Sequence, residues 1–323
     1  MTRNYLFVCL AMIVISLIAT DYSYALMDLA KITVRVVDES GNPVAGANVG
    51  VGFELNTQKK EIPMNGITNS EGRFSASEKC NGYIGFNVVK SGYYMSVGQY
   101  NFKYEKKGFM QWEPWNPEIT VVLRKIENPV PMYARNTKDS LIEIPVTGKD
   151  VGFDLILFDW LTPYGKGQIA DFYCNLYVSR RGPSDFEYKL DISFPRKFDG
   201  IVSFEEDLMQ GSEFKLPRFA PENGYKKDIR VFIDRKPVGA SNRSFKENRS
   251  YIFRVRSEVE NGKLKKALYG KIIGDIGIGT KKQGTANLYI KYYLNPDFTR
   301  NLEFDPKRNL FVNLPVREQV RIK

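Results

Sequence analysis

The side chains in this sequence that could do chemistry are carboxylates, because its 323 residues include no histidine. Without imidazole there is no Ser-His-Asp or Cys-His nucleophile system, no His-liganded zinc and no use of the commonest general base. Cys80 and Cys174 are the cysteines beyond the apolar N-terminal run, too few for a thiolate metal centre or an iron–sulfur cluster. Two-carboxylate glycoside hydrolysis remains, and it needs only two Asp or Glu at a set separation across a cleft. Asp154, Asp159 and Asp171 and the cluster Glu205-Glu206-Asp207 could supply the pair. Asp154 and Asp159 stand out, because they flank an apolar run beside Trp160. However, 37 acidic residues make such pairs common, and carboxylates at strand ends more often cap the adjoining turns. No catalytic residue is therefore assigned, nor any cofactor or metal, since the one acidic loop, 38–42, lacks a distant acidic partner for calcium. The glycine-rich run 274–282 has neither the Gly-Lys-Ser/Thr order of a phosphate loop nor a following helix, and reads as a hairpin or bulged strand.

Recognition is the second chemistry available. The segment 100–117 carries Tyr100, Tyr104, Trp112 and Trp115, with prolines at 114 and 117 that make it a loop. These four rings are the candidate ligand-binding residues, as an aromatic platform that stacks on sugar rings or on a peptide. The competing reading is that they cover the open end of a domain or pack beneath it.

Elements to position such a loop are legible from period-two alternation. Ile32, Val34 and Val36 share one face of a strand, and residues 38–43 supply a turn. Ala47, Val49, Val51 and Phe53 then share a face, with Asn48, Gly50, Gly52 and Glu54 opposite, so that side is thin and open to close approach. Residues 68–74 form a second reversal with Gly72 where a tight hairpin needs it, 83–89 alternates again, and 118–124 closes the module. About seven short strands in roughly a hundred residues is the count of an immunoglobulin-like sandwich.

The pattern VxDxxGxPVxGAxVxV at 36–51, the T-x-S-x-G-x-F at 68–74 and the Gly92-Tyr93 pair resemble the carboxypeptidase regulatory-like, transthyretin-like sandwich family. Asn69 stands where that family usually has Asp, which leaves the turn intact. The resemblance covers about a third of the chain. It implies a sandwich fold and an extracytoplasmic accessory role, with no catalytic residues in the module itself.

A linker is expected at 128–131, stiffened by two prolines. Beyond it, 152–160 reads as one buried strand. Residues 171–178 alternate with Phe172, Cys174, Leu176 and Val178 inward, 188–194 and 229–233 are further strands, and 285–294 is one more. Asn261-Gly262 between alternating runs predicts a hairpin over 250–273. A short helix is expected near 204–209, where three acidic residues would suit a helix N-terminus. Phrases such as NPVPMYA and YYLNPDFTRNLEFD resemble those of a group of exported bacterial proteins, and that likeness implies architecture rather than activity.

The N-terminus has Arg3, an apolar run over 5–18 and a polar stretch ending Ser23-Tyr24-Ala25, the layout of a secretory signal cleaved after Ala25. Asp21 interrupts the run before the ~20 residues that a span takes, so no stable membrane span is expected after cleavage. The net charge of +10 favours acidic partners, but basic doublets at 106–107, 226–227, 265–266 and 281–282 are scattered and read as solvated surface, not as a nucleic-acid footprint. Cys80 and Cys174 are expected to stay free thiols.

The sequence thus describes an all-β chain: a signal peptide (1–25), a seven-stranded Ig-like, transthyretin-like sandwich (26–127) and a larger mostly-β sandwich (128–323). The expected function is non-enzymatic, a binding or accessory role in the periplasm or outside the cell, with an envelope polysaccharide or another envelope protein as partner. The alternative is a carboxylate-dependent glycoside hydrolase with the first domain as accessory module.

Overall fold

A computed structural model describes residues 27–55, 60–102, 109–207, 210–212, 214–239, 241–281 and 284–320. The expected signal segment, Tyr104 and the Lys106-Lys107 doublet lie outside the described residues. The chain is all-β and divides into two compact units, Met1–Ile126 with Met209–Ser212, and Glu127–Leu208 with Glu213–Ile322.

The first unit is built from β1 (Asp28–Val37), β2 (Asn48–Glu54), β3 (Glu61–Ile67), β4 (Arg73–Cys80), β5 (Tyr83–Val89), β6 (Ser96–Asn101) and β7 (Glu118–Val122). One sheet has the order β4-β1-β7, with β1 antiparallel to β4 and parallel to β7. The other runs β6-β5-β2-β3 and is extended at β6 by Gly211–Ser212, which reaches this unit from far along the chain. Ile32, Val34 and Val36 of β1 meet Val49, Val51 and Phe53 of β2 and Ile84, Phe86 and Val88 of β5 in one core, so the alternation fixes the register. Gly72 has φ 74°, and a Cβ there would lie 2.3 Å from the Val36 carbonyl oxygen; only glycine fits this reversal.

The second unit contains β8 (Val130–Asn136), β9 (Ile142–Glu143), β10 (Asp150–Asp154), β11 (Asp159–Trp160), β12 (Phe172–Gly182), β13 (Asp185–Ser193) and β14 (Gly200–Glu205). After β15 (Gly211–Ser212), which belongs to the first unit, come β16 (Asp228–Arg235), β17 (Asn242–Arg243), β18 (Arg249–Glu260), β19 (Lys263–Ile272), β20 (Gly277–Thr280), β21 (Ala286–Tyr289), β22 (Lys291–Asn295) and β23 (Phe304–Asn309). Two six-stranded sheets, β11-β10-β12-β13-β16-β17 and β14-β18-β19-β22-β8-β23, enclose the larger core, and β20-β21-β9 forms a third, small sheet. The β18–β19 hairpin turns at Asn261 (φ 52°) and Gly262 (φ 75°), the two positive φ values an Asn-Gly turn requires.

Three local expectations are corrected. Residues 152–160 are a hairpin, not one strand: Asp154 Oδ1 accepts the N–H groups of Ile156 and Leu157 at 3.0 Å each, and Phe158 takes φ 54°, so the chain folds back and Trp160 pairs with Phe153. Residues 285–294 form two strands in different sheets, broken at Ile290, whose N–H and C=O are both taken by Thr137. No helix forms at the start of 204–209; β14 continues to Glu205 because Val202 and Phe204 alternate onto an outer apolar cluster with Ile252, Tyr269 and Leu302. At 128–131, just past the division of the two units after Ile126, Glu303 accepts the N–H groups of Glu127 and Asn128 at 2.9 and 2.6 Å, and Val130 already belongs to β8.

Candidate functional site

Asp154, Asp159 and Asp171 are spent on structure. Asp154 and Asp171 are only 1% and 0% exposed, and both are held by Arg256. Arg256 Nη2 donates to Asp154 Oδ1 at 2.7 Å and to Asp171 Oδ2 at 3.0 Å, while its Nε donates to Asp171 Oδ1 at 2.8 Å. Asp154 Oδ2 accepts the amides of Gln168 and Ile169 at 3.1 Å, and Asp171 Oδ2 accepts that of Leu155 at 2.7 Å. Burial works to raise Asp154, but the Leu157, Ile169 and Gln168 amides, with Arg256, hold it below its ordinary value. For Asp171 burial prevails over Arg256 and lifts the carboxyl above its ordinary value. Every oxygen of the two carboxylates already accepts a hydrogen bond, and both side chains are shut off from solvent.

Asp159 takes a similar part. Its oxygens accept the amides of Trp160 and Lys166 at 2.8 Å each, tying down the loop 163–167. Glu205 is exposed and paired with Lys246 at 2.8 Å. The three aspartates therefore cap turns, and the structure does not bring them together around an open cleft.

Arg256 is the organising residue that the sequence did not reveal. It lies inside the long β18–β19 hairpin, where the register shifts between Val255 and Glu258, and it adopts φ 53°. The bulge turns its side chain toward the two aspartates, while the next amide, Ser257 N–H, donates to buried Asp199 at 2.8 Å. Nothing in the local alternation marks a bulge at this point.

The aromatic candidates part company. Trp112 packs against the first core, and its indole N–H donates to the Cys80 carbonyl at 3.2 Å. Tyr100, on β6, meets the buried Phe102 edge-on at 4.7 Å between centroids. These two rings are half-buried packing groups. Trp115 is 39% exposed, and its own N–H is pinned by Glu113 at 2.7 Å. Tyr104 lies outside the described residues, so no platform of four rings is assembled among those described. Two residues the sequence reading passed over are the most open here: Phe109 at 91% and Met110 at 71% exposure. The segment carrying them is anchored to β1, where Leu29 N–H donates to Met110 C=O and Trp112 N–H donates to Leu29 C=O.

The glycine side of β2 is filled by its own sheet. The carboxylate of Glu61 lies over Gly52, and the amides of Asn65 and Asn87 flank Gly50. Gly277 of the glycine-rich run is covered by the ring of Tyr289, so that glycine serves cross-strand packing. Between the two large sheets of the second unit is an apolar cavity lined by Phe172, Phe253, Leu288 and Tyr292 among others. The Tyr292 hydroxyl is already bound to the Leu155 carbonyl at 2.6 Å. Among the described residues no group of three or more His, Cys, Asp or Glu could hold a metal, and no helix is long and apolar enough to cross a membrane.

No protein-family model and no curated protein matches the chain. Among solved structures, 3-chlorocatechol 1,2-dioxygenase of Rhodococcus opacus 1CP is similar over 31% of this chain and 60% of its own, at 12% identity and a TM-score of 0.26. Catechol 1,2-dioxygenase of Pseudomonas arvilla C-1 is similar over 32% of this chain and 54% of its own, at 18% identity and a TM-score of 0.25. A protein of Bacteroides uniformis provisionally assigned as carbohydrate binding overlaps 82% of this chain and 98% of its own, at 10% identity and a TM-score of 0.18. At these scores none of the three bears on what this chain binds.

Proposed function

We propose that this chain is a non-enzymatic, exported binding or accessory protein of the cell envelope, with a first unit of the carboxypeptidase regulatory-like kind. Its second unit is a larger sandwich resembling part of a group of exported bacterial proteins. The observation that carries the reading is the exposure of Phe109, Met110 and Trp115 on one segment of the first unit, tied to β1 through Met110 and Trp112. Exposed rings on an anchored loop are what a partner surface or a sugar face packs against. The signal-like N-terminus and the regulatory-like motifs support the compartment and the accessory role. The carboxylate-dependent hydrolase reading has less support, because Asp154, Asp159 and Asp171 all serve turns and a buried ion pair.

The test is a pull-down and glycan-binding assay with the purified protein, its Phe109→Ala/Met110→Ala variant and Trp115→Ala. Retention of an envelope polysaccharide or protein by the parent, lost in the variants, is the expected result. Retention equal in all three proteins would move the site away from this segment.

A further inference from the structure

We infer that the second unit carries a binding site for an anionic, carboxylate-bearing polysaccharide at Arg196, Lys197, Lys226 and Lys227, beside the ring of Phe198. The two segments involved are zipped together: Ile201 N–H donates to Lys226 C=O at 3.0 Å, Lys226 N–H donates to Ile201 C=O at 2.9 Å, and Phe194 N–H donates to Lys227 C=O at 2.9 Å. Lys227 Nζ also donates to the Arg196 carbonyl and, at 3.4 Å, to that of Asp199. The four basic residues are therefore carried by two hydrogen-bonded segments, with Lys197 and Lys226 exposed and Arg196 half-buried.

What distinguishes Lys197 and Lys226 from the other lysine doublets with described side chains is that neither has an acidic partner among the described residues. Of the other lysine doublets with described side chains, Lys265 and Lys266 pair with Glu260 at 2.7 Å and Glu258 at 3.0 Å, and Lys281 pairs with Glu143 at 2.7 Å. Lys197 and Lys226 are exposed and make no ion pair among the described residues. Lys227 donates only to backbone carbonyls. The carboxylate beneath, Asp199, is 1% exposed and already shared between Ser257 N–H at 2.8 Å and Arg196 at 3.5 Å. Glu222 is taken by Arg300 at 3.2 Å, which leaves Asp228 as the exposed acid next to the doublet. Burial first lowers the Lys227 ammonium below its ordinary value, with Arg254 adding to it and Asp199 opposing.

The neighbouring rings narrow the ligand class. Lys197 Nζ lies 5.2 Å from the centroid of Phe198, and the Arg254 guanidinium lies 4.2 Å from that of Tyr225. A half-buried ring next to free ammonium groups suits a sugar whose C–H face stacks while its carboxylate pairs. A bare polyanion needs no such ring. The inference rests on the binding role proposed above but uses none of Phe109, Met110 or Trp115.

The experiment measures affinity of the purified protein for polygalacturonate, for the same polymer fully methyl-esterified, and for duplex DNA and polyphosphate, at two salt concentrations. The expected result is binding to polygalacturonate that weakens with salt, at least about tenfold loss in Lys197→Glu/Lys226→Glu, and no binding to the methyl ester. Because both lysines are exposed, the thermal midpoint of that variant should match the parent, and Arg196→Gln gives a second, milder loss. The inference is overturned by undiminished affinity in the double variant, by absence of binding, or by equal affinity for DNA or polyphosphate. The variant of Phe109 and Met110 separates the two ideas: loss there with retention in the lysine variant would leave the apolar segment standing alone.

Discussion

Arg256 and Asp154 are joined by a 2.7 Å hydrogen bond across 102 residues of sequence, and the same guanidinium nitrogen reaches Asp171. This bond ties a β-bulge in one sheet to the tight turn of a hairpin in the other. Replacing Arg256 by Met leaves two buried carboxylates without their cation and should cost about 3–5 kcal/mol. Arg256→Gly relieves a left-handed φ worth only about 1 kcal/mol, so it should be nearly as damaging. Urea denaturation of the two variants checks this; a loss below about 1 kcal/mol in Arg256→Met would mean that the ion pair is dispensable.

Acid should act on the same network in two opposite senses. Asp154 is held below its ordinary 3.8, so the stability it contributes is complete above that value and is lost as pH falls through the lowered one. Asp171 is raised above 3.8, so its ionised form opposes folding and its protonation on the way down relieves the strain. Glu318, opposed by burial but lowered by Ser140 and Arg135, adds to the Asp154 side. The thermal midpoint should therefore change little down to about pH 4 and fall below it. Asp154→Asn should flatten that fall; an unchanged acid limb would remove Asp154 from the account.

The two insert tryptophans should separate in stability measurements. Trp112 fills the edge of the first core and donates to the Cys80 carbonyl, so Trp112→Ala should cost about 3 kcal/mol. Trp115 is exposed, and its replacement should stay within about 0.5 kcal/mol. Equal losses would make Trp115 a packing group and withdraw it as a contact for any ligand.

Period-two alternation placed the strands with one clearly buried face, because such a sheet writes its register into the sequence: Ile32, Val34 and Val36 face the core as their spacing requires. Asn261-Gly262 was equally readable, since its turn depends on two adjacent residues. The hairpin at 155–158 was hidden by its composition, an unbroken apolar run whose reversal depends on Asp154 accepting amides from both 156–157 and 168–169. The break at Ile290 depends on Thr137, 153 residues away. Arg256 was invisible for the same reason, and the Lys226-Lys227 doublet looked like its neighbours until their acidic partners could be identified.

Thr137 offers a direct test of that long-range break. Its hydroxyl accepts Ile290 N–H at 2.8 Å and donates to Ile290 C=O at 3.1 Å, both buried. Thr137→Val keeps the shape but leaves a buried amide unsatisfied, at about 1–3 kcal/mol. Hydrogen exchange should show the Ile290 amide losing protection more than those of Leu288 and Tyr292. Uniform loss across β21 and β22 would instead mean that the two strands behave as one.

The cysteines give the last expectation. Cys174 is fully buried on β12, where burial pushes its thiol far up, and Cys80 is buried with its sulfur accepting Gly82 N–H at 3.4 Å. A thiol reagent attacks the thiolate and needs access, so neither residue should react in the folded protein. Denaturation without reductant should release two reactive thiols from these residues, at a rate set by unfolding of the surrounding strands. Cys9 would add a third wherever the N-terminal run is retained. Failure of the two thiols to appear would show that Cys80 and Cys174 are oxidised, contrary to the free cysteines of the structure.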